Sequence, residues 1–102
     1  MARRRARTER RERQRALERL ARDRQRLAAL EPGGSPERPI EVVSSAVIPV
    51  RARAHRCPLC DGAMRLDEET AASATLRAAH LTCKQCGIAR QLWFAIKPTT
   101  RN

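Results

Sequence analysis

The sequence predicts a small α+β protein: a basic N-terminal α-helix, a flexible linker, and an antiparallel β-ribbon of three strands or more. Three observations carry that reading. Residues 1–31 hold 12 arginines and no glycine or proline; Pro32, Gly33, Gly34, Ser35, Pro36 and Pro39 fall within eight residues; and four cysteines stand as two C-x-x-C pairs followed by alternating apolar residues. The resulting divisions are a basic helical arm at 1–31, a Pro/Gly/Ser linker at 32–46, a cysteine-bearing ribbon at 47–98 and a short tail at 99–102.

Size limits what such a chain can do. Of 102 residues, 42 are hydrophobic, but 17 of these are Ala and only Trp93 and Phe94 are aromatic. Too few large apolar side chains remain to wall a deep pocket. With no glycine-rich phosphate loop and no nucleophile–base constellation, a non-enzymatic role is expected. The charge balance of 22 basic against 11 acidic residues, a formal +11, favours association with polyanions. No apolar run approaches the roughly 20 residues of a membrane span, and the arginines interrupt every candidate signal core, so a cytoplasmic protein without membrane contact is expected.

The helix is expected from about Thr8, a good N-cap, to Leu30, with Pro32-Gly33-Gly34 as its stop. Glu9/Arg13 and Glu18/Arg22 stand at i,i+4 spacing, each pair contributing only a few tenths of a kcal/mol. Leu17, Leu20, Leu27 and Leu30 form a short stripe, with Arg24 where a coiled-coil seam wants an apolar residue. Such a segment reads as a solvated helix, as an arm laid along nucleic acid, or as a docking helix for a partner protein.

After the linker, Ile40, Val42, Val43, Val47, Ile48 and Val50 give a β-prone stretch that Pro49 restricts to an edge or strand end. If 50–54 is a strand, Arg51 and Arg53 face the same way as a basic ridge.

The third region carries the chemistry. Cys57-Pro58-Leu59-Cys60 and Cys83-Lys84-Gln85-Cys86 are separated by 22 residues. A C-x-x-C turn points two thiolates at one ion while backbone amides curl towards the first sulfur, and a following glycine, here Gly62 or Gly87, permits positive φ. Two such turns supply the tetrahedral four-sulfur shell that zinc accepts, so Cys57, Cys60, Cys83 and Cys86 are the expected ligands of one structural Zn²⁺. Four cysteines leave no open coordination position, which argues against a catalytic ion. His55 and His80 are close in sequence but are surplus to that shell. Arg56, Lys84 and Arg90 are placed to offset its negative charge.

Between the pairs, Met64 and Leu66 start an outgoing strand, Ala71-Ala72-Ser73 turn, and 75–82 returns, with a bulge expected near Ala78-Ala79 because Leu76 and Leu81 differ in parity. A third strand places Ile88, Leu92, Phe94 and Ile96 on one face. Met64, Leu66, Leu76 or Leu81, Phe94 and Ile96 are the candidate core. Trp93 falls on the opposite face, either stacking a nucleobase or covering the back of a thin sheet.

Residues 57–96 resemble a zinc ribbon: knuckle, β-hairpin, second knuckle, closing strand. The chain departs from the pattern at Asp61, where ribbons often place Gly directly after the second cysteine. The resemblance implies a zinc-stabilised fold but no particular function. The charge then favours nucleic-acid binding, RNA or DNA, through Arg3, Arg4, Arg5, Arg7, Arg10, Arg11, Arg13 and Arg15 on the arm, with Arg51, Arg53 and Trp93 on the ribbon. The alternative is a protein–protein adaptor that docks through Leu17, Leu20, Leu27 and Leu30.

Overall fold

A computed structural model describes residues 2–97, the side chains of residues 2–4 excepted. Helix α1 spans Ala2–Leu30, strand β1 Ile40–Val42, a 3-10 turn Ser45–Val47, helix α2 Ile48–Arg53, and strands β2, β3 and β4 Met64–Ala71, Leu76–Cys83 and Ala89–Ile96. The fold is therefore small α+β, a long basic helix followed by a four-stranded mixed sheet of order β1-β4-β3-β2. α1 begins at Ala2, earlier than the Thr8 cap suggests. The Arg/Ala run before Thr8 has good helix propensity and contains no breaker, so nothing stops the helix there. The Glu9/Arg13 and Glu18/Arg22 pairs do not close: among the described residues, the ion pairs are Arg65–Asp67 and Glu41–Lys97.

The ribbon is an antiparallel meander. β2 pairs with β3 and β3 with β4. Ser73 builds the hairpin turn: its hydroxyl accepts from the amides of Thr75 and Leu76, and Ala72 N–H donates to the Leu76 carbonyl. The bulge lies between Leu66 and Glu68 in β2, not near Ala78-Ala79. β3 keeps strict alternation, so Leu81 enters the core while Leu76 stays on the opposite face, half-buried. The parity conflict is relieved in the acidic outgoing strand, where an extra residue exposes Asp67 and costs no core contact.

The β-prone reading of 40–54 holds at its start and fails beyond it. Residues 40–42, within the expected linker, pair in parallel with β4 in the register Ile40↔Phe94 and Val42↔Ile96. Beyond them the chain is helical rather than extended. Pro49 at the first turn of α2 suits a helix start, and Ile48 and Ala52, four apart, lay one fully buried stripe on the sheet. That stripe closes a core of Phe94, Leu92 and Leu81, each at most 1% exposed, with Ile40, Val42, Met64 and Ala79 around them. Arg51 and Arg53 consequently point about 200° apart around the helix, both exposed, and form no shared ridge.

α1 has two environments. Every side chain from Arg5 to Leu20 is exposed, whereas Ala28 is buried against the ribbon. The hydrogen bond from the Arg24 guanidinium to the Leu59 carbonyl (2.7 Å) ties the helix to the first cysteine turn. Gly34 lets the chain double back, because a Cβ there would collide with the Ala28 carbonyl oxygen.

Candidate metal centre and basic helix

The two cysteine turns are built on one template. In the first, Cys57 N–H donates to the Gly62 carbonyl (2.9 Å) and Asp61 N–H to the Cys57 carbonyl (2.9 Å); in the second, Cys83 N–H donates to Ile88 (2.9 Å) and Gly87 N–H to Cys83 (3.1 Å). The residue four after the leading cysteine takes left-handed backbone in both, Asp61 at φ 61° and Gly87 at φ 79°. Gly62 does not supply the positive φ. It is instead packed tightly beneath Gln85 and the Cys60 sulfur. The bond from Lys84 N–H to the Ala63 carbonyl (2.9 Å) holds the turns face to face.

This geometry brings Cys57, Cys60, Cys83 and Cys86 together, all four sulfurs within 4.8 Å of one another. Two of the pairs stand in hydrogen-bond contact, Cys57–Cys86 at 3.6 Å and Cys60–Cys83 at 3.4 Å. A tetrahedral ion with bonds of about 2.3 Å to sulfur needs edges of about 3.8 Å, so the four sulfurs fit one metal ion. Backbone amides aim at the leading sulfurs: Leu59 N–H at Cys57 (3.4 Å), and Gln85 and Cys86 N–H at Cys83 (3.3 Å each). Such donors favour thiolate. The Cys86 and Gln85 amides pull the Cys83 thiol down to about 6, while sharing a proton with Cys83 pushes Cys60 up to about 12. One sulfur is poised as an anion, and a cation displacing the remaining protons satisfies all four.

Neither histidine joins the cluster. His80 sits mid-sheet, bridging Thr70 Oγ1 (3.0 Å) and Gln91 Nε2 (3.2 Å) across three strands. His55 is half-buried, and burial, then the charges of Arg90 and Arg51, lower its pKa against the opposing pull of Glu31.

Of the other candidate residues, Arg5, Arg7, Arg10, Arg11, Arg13 and Arg15 stand exposed around α1. Arg3 and Arg4 belong to the helix, but their side chains lie outside the described residues. Trp93 is half-buried; its N–H in the backbone donates to the Gly33 carbonyl (2.8 Å), and its side chain lines a cleft of about 240 Å³ with Gln25, Ala28 and Ala29 from the end of α1. It therefore covers a seam between helix and sheet. The leucine stripe is solvent-facing, with Leu17, Leu20, Leu27 and Leu30 between 46% and 64% exposed. Arg24 and Arg90 gain importance that spacing alone does not give them. Arg24 carried a signal, the polar break in the leucine seam, and it is the residue that reaches the cysteine turn.

Among the described residues, no helix is long and apolar enough to cross a membrane. No protein-family model, curated protein or solved structure matches the chain.

Proposed function

We propose that this is a non-enzymatic, cytoplasmic zinc-ribbon protein that binds nucleic acid, with α1 as its principal phosphate-contacting element. The observation that carries the reading is the freedom of the arm. The segment Arg5–Arg15 holds six exposed arginines against Glu9 and Glu12, and the ribbon covers none of them. A helix presenting guanidiniums on all sides contacts successive phosphates whichever way it approaches a groove. Zinc is the ion that suits the four-thiol set, because soft thiolate ligands in a tetrahedron select it over hard cations. With four protein ligands its role is to hold the ribbon together, and it leaves no position for substrate.

The test is binding of the zinc-loaded protein to RNA and to duplex DNA across a salt series. Affinity is expected to fall steeply with salt and to show little sequence preference. Replacing Arg5, Arg7, Arg10, Arg11, Arg13 and Arg15 by Gln should lower the slope of log K against log[salt] by about three or more, at roughly 0.9 per lost phosphate contact on DNA. Absence of binding to both polymers at low ionic strength overturns the reading.

A second reading, an adaptor docking through Leu17, Leu20, Leu27 and Leu30, is favoured by one observation: these four large apolar side chains are left facing solvent. It predicts that Leu17→Arg/Leu20→Arg abolishes capture of a protein partner while nucleic-acid binding persists.

A further inference from the structure

Helix α1 is charge-polarised around its axis. At about 100° per residue, the exposed arginines Arg7, Arg11, Arg15, Arg19, Arg22 and Arg26 all fall within about 90° of Arg11, and Glu18 is the acid among them. The other half of the circumference sets Arg5, Arg10, Arg13 and Arg24 against Glu9, Glu12 and Asp23. It also holds the four exposed leucines. Guanidiniums thus face every way over residues 5–15, but along the whole helix only one face stays strongly basic.

That face is also the uncommitted one. Ala28 and Arg24, by which the helix meets the ribbon, belong to the other half. None of the six arginines makes an ion pair or a side-chain hydrogen bond among the described residues. Arg7, Arg11, Arg15 and Arg19 stand at successive i,i+4 positions, as do Arg22 and Arg26, and like charges at that spacing destabilise a helix. A row of phosphates along the face removes that repulsion. From Arg7 to Arg26 the face runs about 28 Å, beyond the arm and towards the ribbon.

The breadth of the face points to the polymer. Arg7 to one side of Arg11, and Arg15, Arg26 and Arg19 to the other, diverge by up to about 120°, so they reach both walls of a groove rather than a single strand. The major groove of B-form DNA is about 12 Å wide and admits a helix about 10–12 Å across, whereas that of duplex RNA is deep and narrow. We propose, resting on the nucleic-acid reading above, that this face of α1 lies in the major groove of duplex DNA, with Arg22 and Arg26 as phosphate contacts beyond the arm. The leucine face is then turned away from the duplex.

The experiment measures binding of the zinc-loaded full-length protein to a DNA duplex of two helical turns, and to the RNA duplex of the same sequence, across a salt series. Arg22→Gln/Arg26→Gln and Arg5→Gln/Arg13→Gln remove equal charge from opposite halves of α1. The first pair should lower the slope of log K against log[salt] by about 1.8, at roughly 0.9 per lost phosphate contact, and the second by about 0.5 or less. All four positions are exposed and Gln is a good helix former, so helix content by circular dichroism should match the parent in both variants. Duplex RNA should bind more weakly than duplex DNA by about fivefold or more at the same salt. Absence of binding to either duplex at low ionic strength would remove the nucleic-acid reading and this face with it. Equal slope changes in the two variants would overturn the face and leave that reading standing. Equal affinity for the two duplexes would overturn the groove.

Discussion

The two cysteine turns share a hydrogen-bond template but live in different surroundings. The first, Cys57–Gly62, is enclosed: Cys57 is buried, Arg24 caps the Leu59 carbonyl, and Arg56 and Arg90 stand close by. The second, Cys83–Ile88, is open at its tip, with Lys84, Gln85, Cys86 and Gly87 all exposed. Their sulfurs are served differently as well. Cys83 receives two backbone amides, from Gln85 and Cys86, whereas Cys57 receives one, from Leu59. The first turn is thus held from outside by helix α1, whereas the second is held from inside by its own backbone. A single ion joining them would be secured by two independent means, one tertiary and one local.

Removing the ion or a ligand tests this contrast most severely. Structural zinc is worth about 10–16 kcal/mol of apparent folding energy to zinc-finger peptides, so with zinc as the proposed ion a strong chelator should collapse the dispersed amide spectrum of residues 55–97. Within that frame Cys83→Ser should be the most damaging single ligand change, because it leaves two amides aimed at a poor thiolate substitute. Cys86→Ser, at an exposed position, should retain measurable zinc affinity in competition with a chromophoric chelator. Equal affinities for the two variants would show that the amide support of Cys83 carries no weight.

The left-handed corners give the next effect. Gly87 at φ 79° has open space where a Cβ would go, so Gly87→Ala meets no clash and isolates the backbone term, about 1–2 kcal/mol. Asp61 already occupies the same conformation with a side chain that tolerates it. Asp61→Gly relieves little strain, and the gain is offset by the extra freedom glycine brings to the unfolded chain. Zinc affinity should therefore drop about fivefold or more in Gly87→Ala and stay within about twofold in Asp61→Gly. A matching loss in both would mean that Asp61 contributes through its carboxylate and not through its backbone.

How much of this was legible beforehand follows from which interactions are local. The ligand set is written in spacing, since a C-x-x-C turn is a six-residue object whose hydrogen bonds depend on nothing distant. The alternation of Leu92, Phe94 and Ile96 likewise gives β4 directly. What spacing does not reveal is decided by tertiary competition. Val47–Val50 has strand-like composition, yet burying Ile48 and Ala52 together on the sheet requires a helical period, and Pro49 already favoured a helix start. The bulge moved from β3 to β2 because β3, central in the sheet, hydrogen-bonds on both sides, whereas β2 lies at the edge. Trp93 faced two possible environments, and only the return of the chain at Gly33-Gly34 brings α1 within reach of it.

The smallest effect is a pH titration that separates the enclosed turn from the open one. His55 leads into the first turn. Its pKa is lowered from the ordinary 6.5 by burial first, then by Arg90 and Arg51, with Glu31 opposing. A histidine whose folded value is depressed favours the neutral form in the native state. Its contribution to stability is complete above the unfolded value near 6.5 and is lost as pH falls towards and through the lower folded value. Arg90→Gln deletes the larger of the two cationic contributions, so the His55 ring resonances of the zinc-loaded protein should titrate at a higher pH than in the parent. The thiolate centre adds the same negative charge to both proteins, so the difference between them isolates Arg90. Coincident titration curves would place the Arg90 charge beyond electrostatic reach of His55, and that charge would then play no part in enclosing the first turn.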